Sequence, residues 1–220
     1  MPRDAIESAV KAGRRVVVFT DFDGTLVPIH SDPFACRADA ETQAVLAVLR
    51  DHPRSRAAVV SGRDLADLVP RIGVPGIPHA GNHGLEIAGP GIEFREPTAD
   101  RLSQDLTRIA EELGAAIADV PGAWVQNKIL TASVHFRQAP DELVPRVYAA
   151  VDRILEPHLD RFVVKPGKKL REIRPKVDWN KGHAIDWLIP HLAAGEPHPF
   201  VVFLGDDATD EDGFRVAAKH

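Results

Sequence analysis

Apolar and polar positions follow two different patterns along this chain. Residues 16–19, Val-Val-Val-Phe, form a short β-branched run that stops at Thr20-Asp21-Phe22-Asp23-Gly24-Thr25, as a buried strand does when it ends in polar groups. Asp39 is placed to cap a helix carrying Val45, Leu46 and Leu49 on one stripe. Residues 57–60, Ala-Ala-Val-Val, predict a second strand, followed by Ser61-Gly62-Arg63 and a short helix with Leu65, Leu68 and Val69. A third strand near 77–80 runs into Gly81-Asn82-His83-Gly84, and a hairpin-like pair flanks Pro90-Gly91. The pattern returns late: Asn180 precedes a helix with Ile185, Leu188, Ile189 and Leu192, and residues 200–204 form a strand ending at Gly205-Asp206-Asp207. Strands alternating with helices predict an α/β fold with a parallel sheet and right-handed crossovers.

Residues 97–175 have another pattern. One amphipathic helix carries Leu102, Leu106, Ile109 and Leu113, a second Leu143, Val147, Val151 and Ile154. Strand-like segments follow each, near 123–137 and 161–174, with a turn expected at Pro166-Gly167. The expected organisation is a doubly wound parallel-sheet core, 1–96 with 176–220, interrupted by an α+β insert, 97–175, of two α-β-β units.

Composition narrows the function classes. The 220 residues are 44% hydrophobic and 27% charged, with a net charge of −5, which is ordinary for a globular chain and opposes non-specific binding to nucleic acid or anionic membrane. The single cysteine, Cys36, cannot form an internal disulfide, and no apolar run approaches the length of a membrane span. A cytoplasmic monomer is expected, with no nucleic-acid or membrane partner.

Four strand ends carry chemistry: Asp21/Asp23/Thr25, Ser61, Asn82/His83 and Asp206/Asp207/Asp210. Parallel neighbours would gather them at one sheet edge, and Lys181 falls in the first turn of the late helix, where anions are attracted. Clustered carboxylates repel unless a cation sits among them, and an all-oxygen set suits Mg²⁺ beside a phosphate. His79 and His83 fall in a Gly-rich turn and give no zinc pattern, and no P-loop or Gly-x-Gly-x-x-Gly stretch points to a nucleotide. An aspartate can itself attack phosphorus. Asp21 is the candidate nucleophile and Asp23 the candidate acid and base.

These residues resemble the haloacid-dehalogenase superfamily of phosphohydrolases. Its four motifs are matched in order by Asp21-Phe22-Asp23-Gly24-Thr25, by Ser61, by Lys181 and by Gly205-Asp206-Asp207. The resemblance implies Asp21 as nucleophile and Asp23 as general acid/base, Asp23 also lending a backbone carbonyl to Mg²⁺. It further implies Asp206 as a metal ligand beside Asp21, with Thr25, Ser61-Gly62 and Lys181 holding the phosphoryl group.

Further segments are similar to trehalose-6-phosphate phosphatases: Gly81–Glu86, Trp124–Lys128 through His135-Phe136-Arg137, Gly167-Lys168 through Glu172–Pro175, and Gly205–Asp212. In that family the insert is a cap that closes over a disaccharide phosphate, and the likeness implies Lys128, Lys168 and Glu172 as sugar ligands. Residues 161–181 hold eight Lys/Arg against two acidic residues. Lys168 and Glu172, four apart on an expected strand, would share a face. Arg63 is a candidate for the phosphate or sugar, or a surface helix arginine; Asn82 and His83 contact substrate or shape their turn. The family has an acidic residue where this chain has Gln126, and it continues beyond the fourth motif, so part of the core is expected beyond residue 220. The expected activity is Mg²⁺-dependent removal of phosphate from trehalose 6-phosphate, its substrate supplied by a separate synthase. Another sugar phosphate (sucrose 6-phosphate or a glycosyl phosphoglycerate) and a non-catalytic sugar-phosphate-binding domain remain the rivals.

Overall fold

The computed structural model describes residues 2–30, 32 and 34–220. The chain runs α1 (Pro2–Lys11), β1 (Val16–Thr20), α2 (Ala40–Asp51), β2 (Ser55–Val60), α3 (Leu65–Ile72), β3 (His79–Gly81), β4 (Glu86–Gly89) and β5 (Ile92–Arg95). It continues with α4 (Pro97–Ala116), β6 (Trp124–Asn127), β7 (Ala132–His135), α5 (Val144–Leu155), β8 (Phe162–Gly167) and β9 (Leu170–Pro175). The final elements are α6 (Lys181–Ala193), β10 (Phe200–Leu204) and α7 (Glu211–Ala217), with one-turn 3-10 helices at Asn82–Gly84, Glu156–His158 and Ala208–Asp210.

Two compact units result, one made of residues up to Arg95 with Trp179–His220, the other of Glu96–Asp178. The divisions fall at Glu96 and Asp178, where the sequence pattern put them at Pro97 and Pro175.

The first unit is built on a six-stranded sheet ordered β10-β1-β2-β3-β4-β5. Its first four strands are parallel, and β4 and β5 add an antiparallel hairpin. Helices cover both faces. On one, Val17, Phe19, Ala58, Val60 and Val201 pack with Ile185, Leu188 and Ile189 of α6. On the other, Phe22 and Val59 pack with Leu46 of α2 and with Leu68 and Ile72 of α3. Each fully buried Leu, Ile or Phe contributes about 2 kcal/mol, and β1 and β2 are both buried on both faces. Asp39 caps α2 as expected, accepting from Thr42 N at 2.8 Å. The inner stripes of the two flanking helices differ from the expected ones. Val45 is 56% exposed and Val69 is 43% exposed, because α2 faces the sheet through Leu46 and α3 through Leu68 and Ile72.

The second unit has a four-stranded antiparallel sheet, β6-β7-β9-β8. Its core joins Leu106, Ile109 and Leu113 of α4 and Val147, Val151 and Ile154 of α5 to Ala132, Val134, Phe162 and Ile173. The β8–β9 turn is Lys168-Lys169, with Lys169 at φ +62°, and Pro166 and Gly167 lie in β8. No helix among the described residues is long and apolar enough to cross a membrane.

Candidate active site

In open α/β sheets, ligand sites form beyond the carboxyl ends of the parallel strands. Here β10, β1, β2 and β3 deliver Asp206, Asp21, Ser61 and Asn82 to that edge. Asp21 follows directly on β1, and its amide donates to Leu204 O at 2.8 Å, tying it to β10. Its side chain is buried and bonded to Lys181 Nζ at 2.7 Å. Lys181 opens α6, whose N-cap Asn180 accepts from His183 N at 3.1 Å.

Lys181 also donates to Asp210 Oδ1 at 2.7 Å, and Asp210 is fully buried. The other oxygen of Asp210 accepts the amides of Asp206 and Asp207, each at 3.1 Å. Asp207 caps the 3-10 turn, accepting from Thr209 N at 2.8 Å and Thr209 Oγ1 at 2.7 Å. Asp207 is therefore a shaping residue and Asp210 belongs to the site. The Asp207-x-x-Asp210 spacing is the sequence signal for this, a capping box in which each side chain serves the other's backbone.

Burial pushes the Asp21 carboxyl up, Lys181 pulls it back, and Asp210 raises it, leaving it at about 6. Burial lowers the Lys181 ammonium, but attraction by Asp21 and Asp210 outweighs that and raises it above its ordinary value. Oxygens of Asp21, Asp206 and Asp210 lie within 4.8 Å of one another. Three hard oxygen donors against one buried ammonium fit a divalent cation of the Mg²⁺ kind. Asp23 does not bring its carboxylate to this cluster. Both its oxygens accept from Arg63, Oδ2 from Nε and Oδ1 from Nη2, each at 2.7 Å, so any part of Asp23 in metal binding falls to its backbone carbonyl.

Two glycines are required by close approach. Gly24 sits at φ +92°, and a Cβ there would collide with the Asp206 carboxylate. A Cβ on Gly62 would lie 2.5 Å from His83 Cε1. Thr25 Oγ1 points to Asp206 Oδ1 at 3.5 Å, at the limit of a hydrogen bond. Ser61 is buried and its Oγ accepts from Arg63 N at 3.2 Å. Asn82 and His83 both hold positive φ, 49° and 59°, a costly conformation outside glycine. It is held by Asn82 N on Arg63 O at 2.6 Å, His83 N on Ser61 O at 2.9 Å, and Asn82 Nδ2 on Glu86 Oε1 at 2.7 Å. Glu86 Oε1 also accepts from Leu65 N at 2.9 Å, so this buried carboxylate, which the sequence did not single out, joins the turn to α3.

In the second unit, Lys128 and Glu172 are both buried and paired at 2.8 Å. Arg174 Nε holds the other Glu172 oxygen at 2.7 Å. Gln126 Oε1 lies 3.2 Å from His135 Nε2, and the His135 ring stacks on Trp124 with centroids 4.1 Å apart. Lys168 departs from expectation: it is exposed in the β8–β9 turn and shares no strand face with Glu172. The positive φ of Lys169 closes the hairpin two residues after the expected turn, which takes Lys168 off the strand.

The profile of the family described as Trehalose-phosphatase matches residues 19–220. The chain belongs to the trehalose-phosphatase family. A trehalose-phosphate phosphatase of Mycobacterium avium (strain 104) is 42% identical over 205 residues, covering 92% of this chain and 51% of the relative. The chain thus spans about half the length of the curated relatives it matches. The C-terminal domain of the trehalose-6-phosphate phosphatase from C. albicans superimposes with a TM-score of 0.78 at 26% identity, over 100% of this chain and 79% of that one. A haloacid dehalogenase-like hydrolase from Bacteroides thetaiotaomicron shares the fold at 13% identity, with a TM-score of 0.63 over 93% of this chain and 86% of its own. The expected fold class, a haloacid-dehalogenase-like core carrying an α+β insert, is the observed one.

Proposed function

We propose that this member of the trehalose-phosphatase family hydrolyses trehalose 6-phosphate to trehalose and phosphate, through a phosphorylated Asp21. The observation that carries the reading is the buried Asp21 carboxylate held by Lys181 at 2.7 Å beside a convergent set of oxygens. In the first step an Asp21 oxygen bonds to phosphorus while the bond from phosphorus to the sugar oxygen breaks. Asp23 gives that oxygen its proton. In the second step Asp23 takes a proton from water, whose oxygen bonds to phosphorus, and the bond to Asp21 breaks to release phosphate. Thr25, Ser61, Gly62 and Lys181 hold the phosphoryl oxygens, and the positive charge of Lys181 opposes charge developing there.

Asp21, Asp206 and Asp210, with the Asp23 carbonyl, are the groups that would hold Mg²⁺. When bound, it neutralises phosphoryl charge and keeps Asp21 ionised. Sugar recognition is assigned to Lys128 and Glu172, a buried donor and acceptor suited to a polyol. His83, partly exposed beside Gly62, keeps a substrate-facing role, while buried Asn82 shapes the turn that presents it.

Phosphate release from trehalose 6-phosphate, sucrose 6-phosphate, glucose 6-phosphate and a glucosyl phosphoglycerate, with and without Mg²⁺, tests the proposal. Preference for the trehalose ester, dependence on Mg²⁺ and loss of turnover in Asp21→Asn are expected. Preference for another ester defeats the substrate assignment, and turnover retained by Asp21→Asn defeats the nucleophile.

A further inference from the structure

A run of alternating charges extends from Asp23 along α3. Arg63 grips both Asp23 oxygens, and its remaining nitrogen, Nη1, donates to Asp67 Oδ2 at 2.6 Å. The other Asp67 oxygen accepts from Arg71 Nε at 2.8 Å and Nη2 at 2.5 Å. Arg71 Nη1 ends the run on two backbone carbonyls, Phe34 O at 2.6 Å and Cys36 O at 3.1 Å. Asp67 and Arg71 are one turn apart on α3, and Arg63 lies just ahead of the helix, before its N-cap Asp64. The Arg63 guanidinium also lies over the ring of Phe22, the residue between the two aspartates, at 5.5 Å.

Three members of the run are largely buried and only its end is open. The side chains of Arg71, Asp67 and Arg63 are 7%, 17% and 12% exposed, whereas Asp23 at its end is 34% exposed. An ordinary surface ion pair is worth little and would need no such backing. A guanidinium is a rigid planar fork, and with both edges engaged its plane cannot turn. Its grip fixes the Asp23 carboxylate as well. A carboxylate has about four lone-pair sites, so Asp23 keeps outward lone pairs for a leaving oxygen or a water.

We propose that Asp67, braced by Arg71, is a positioning residue for proton transfer at Asp23, acting through Arg63. The inference rests on the phosphatase reading above, and it gives Arg63 the task of aiming Asp23 rather than binding sugar.

The test compares two esters in the bond-breaking step, measured in single turnover: trehalose 6-phosphate, whose alkoxide needs a proton to leave, and p-nitrophenyl phosphate, whose phenolate does not. Asp67→Asn keeps shape and removes charge. Ester cleavage is expected to slow about tenfold for the sugar, a fraction of what a proton donor contributes. The aryl ester should stay within about twofold, with half-saturating concentrations unchanged. Arg71→Lys should fall between the unaltered protein and Arg71→Met, and it carries the comparison should Asp67→Asn lose its fold by circular dichroism. Equal losses on both esters, a change confined to half-saturation, or no change overturns the inference. An unaltered protein that cleaves neither ester overturns the phosphatase reading and this inference with it, whereas parallel losses in an active enzyme remove this inference alone.

Discussion

Replacing Lys181 by Met separates electrostatics from packing, because Met fills most of the same volume without charge. The Lys181 side chain is 3% exposed and bridges two carboxylates, Asp21 at 8% and Asp210 at 0%, each at 2.7 Å. Its loss leaves both acids buried without their cation. Removing one partner of a buried pair costs about 3–5 kcal/mol, and for a chain of this size each kcal/mol shifts the melting temperature by about 2–4 °C. A fall of about 10 °C is therefore expected at pH 7.5 in EDTA. The sign of its pH dependence follows from the carboxyls. Asp21, already raised to about 6, rises further in the variant, so its charged form is what destabilises the fold. As pH falls through that raised value the acid takes a proton, and the gap between variant and unaltered protein should narrow by pH 5. Thermal unfolding followed by circular dichroism at the two pH values reads both effects. A shift below 2 °C at pH 7.5, or a gap that widens on acidification, would show that Lys181 is not the counter-charge of this pair.

Gly24→Ala should push Asp206 out of place and raise the Mg²⁺ needed for half-maximal phosphate release about tenfold, which a metal titration measures. His79 is buried, its Nε2 has no hydrogen-bond partner among the described residues, and burial lowers it to about 4. Its stabilising contribution is fully present above about pH 6.5 and is lost as pH falls toward 4, by about 2 kcal/mol between pH 7 and pH 5. Urea midpoints over that range should flatten in His79→Leu, and an unchanged slope would exclude His79 as the source. Glu172→Gln strips Lys128 and Arg174 of their shared anion. It should raise KM for trehalose 6-phosphate about tenfold with a smaller change in kcat, and a loss confined to kcat would remove Glu172 from sugar binding.

Much of the α/β core was legible because its rules are local. A β-branched run ending in Asp-x-Asp-Gly-Thr, caps at Asp39 and Asn180, and helical stripes in α4 and α6 each declare themselves within a few residues. The insert's two α-β-β units were legible for the same reason. What escaped depends on contacts between distant segments. Val45 and Val69 are apolar at helical spacing, yet only the docking angle of each helix decides that Leu46 and Ile72 face the sheet. Lys168 was misplaced because a non-glycine residue, Lys169, takes the positive φ that closes the hairpin. Asp210 stood among the strand-end acids, but nothing local to Asp210, Asp67 or Glu86 reveals that they anchor Lys181, Arg63 and Asn82. Nor does anything local to Arg63 reveal its grip on Asp23, because that bidentate partner lies 40 positions earlier.

β1 has a hydrogen-bonded parallel neighbour on each side, Val17 opposite Val201 in β10 and Val18 opposite Ala57 in β2. Small fluctuations that fray the terminal hairpin β4–β5 leave this strand untouched, since releasing it requires two ladders to part together. Amide exchange at Val18 and Phe19 should therefore proceed only through opening of the first unit as a whole. The chemistry thus sits on the stretch of backbone that is the last to let go.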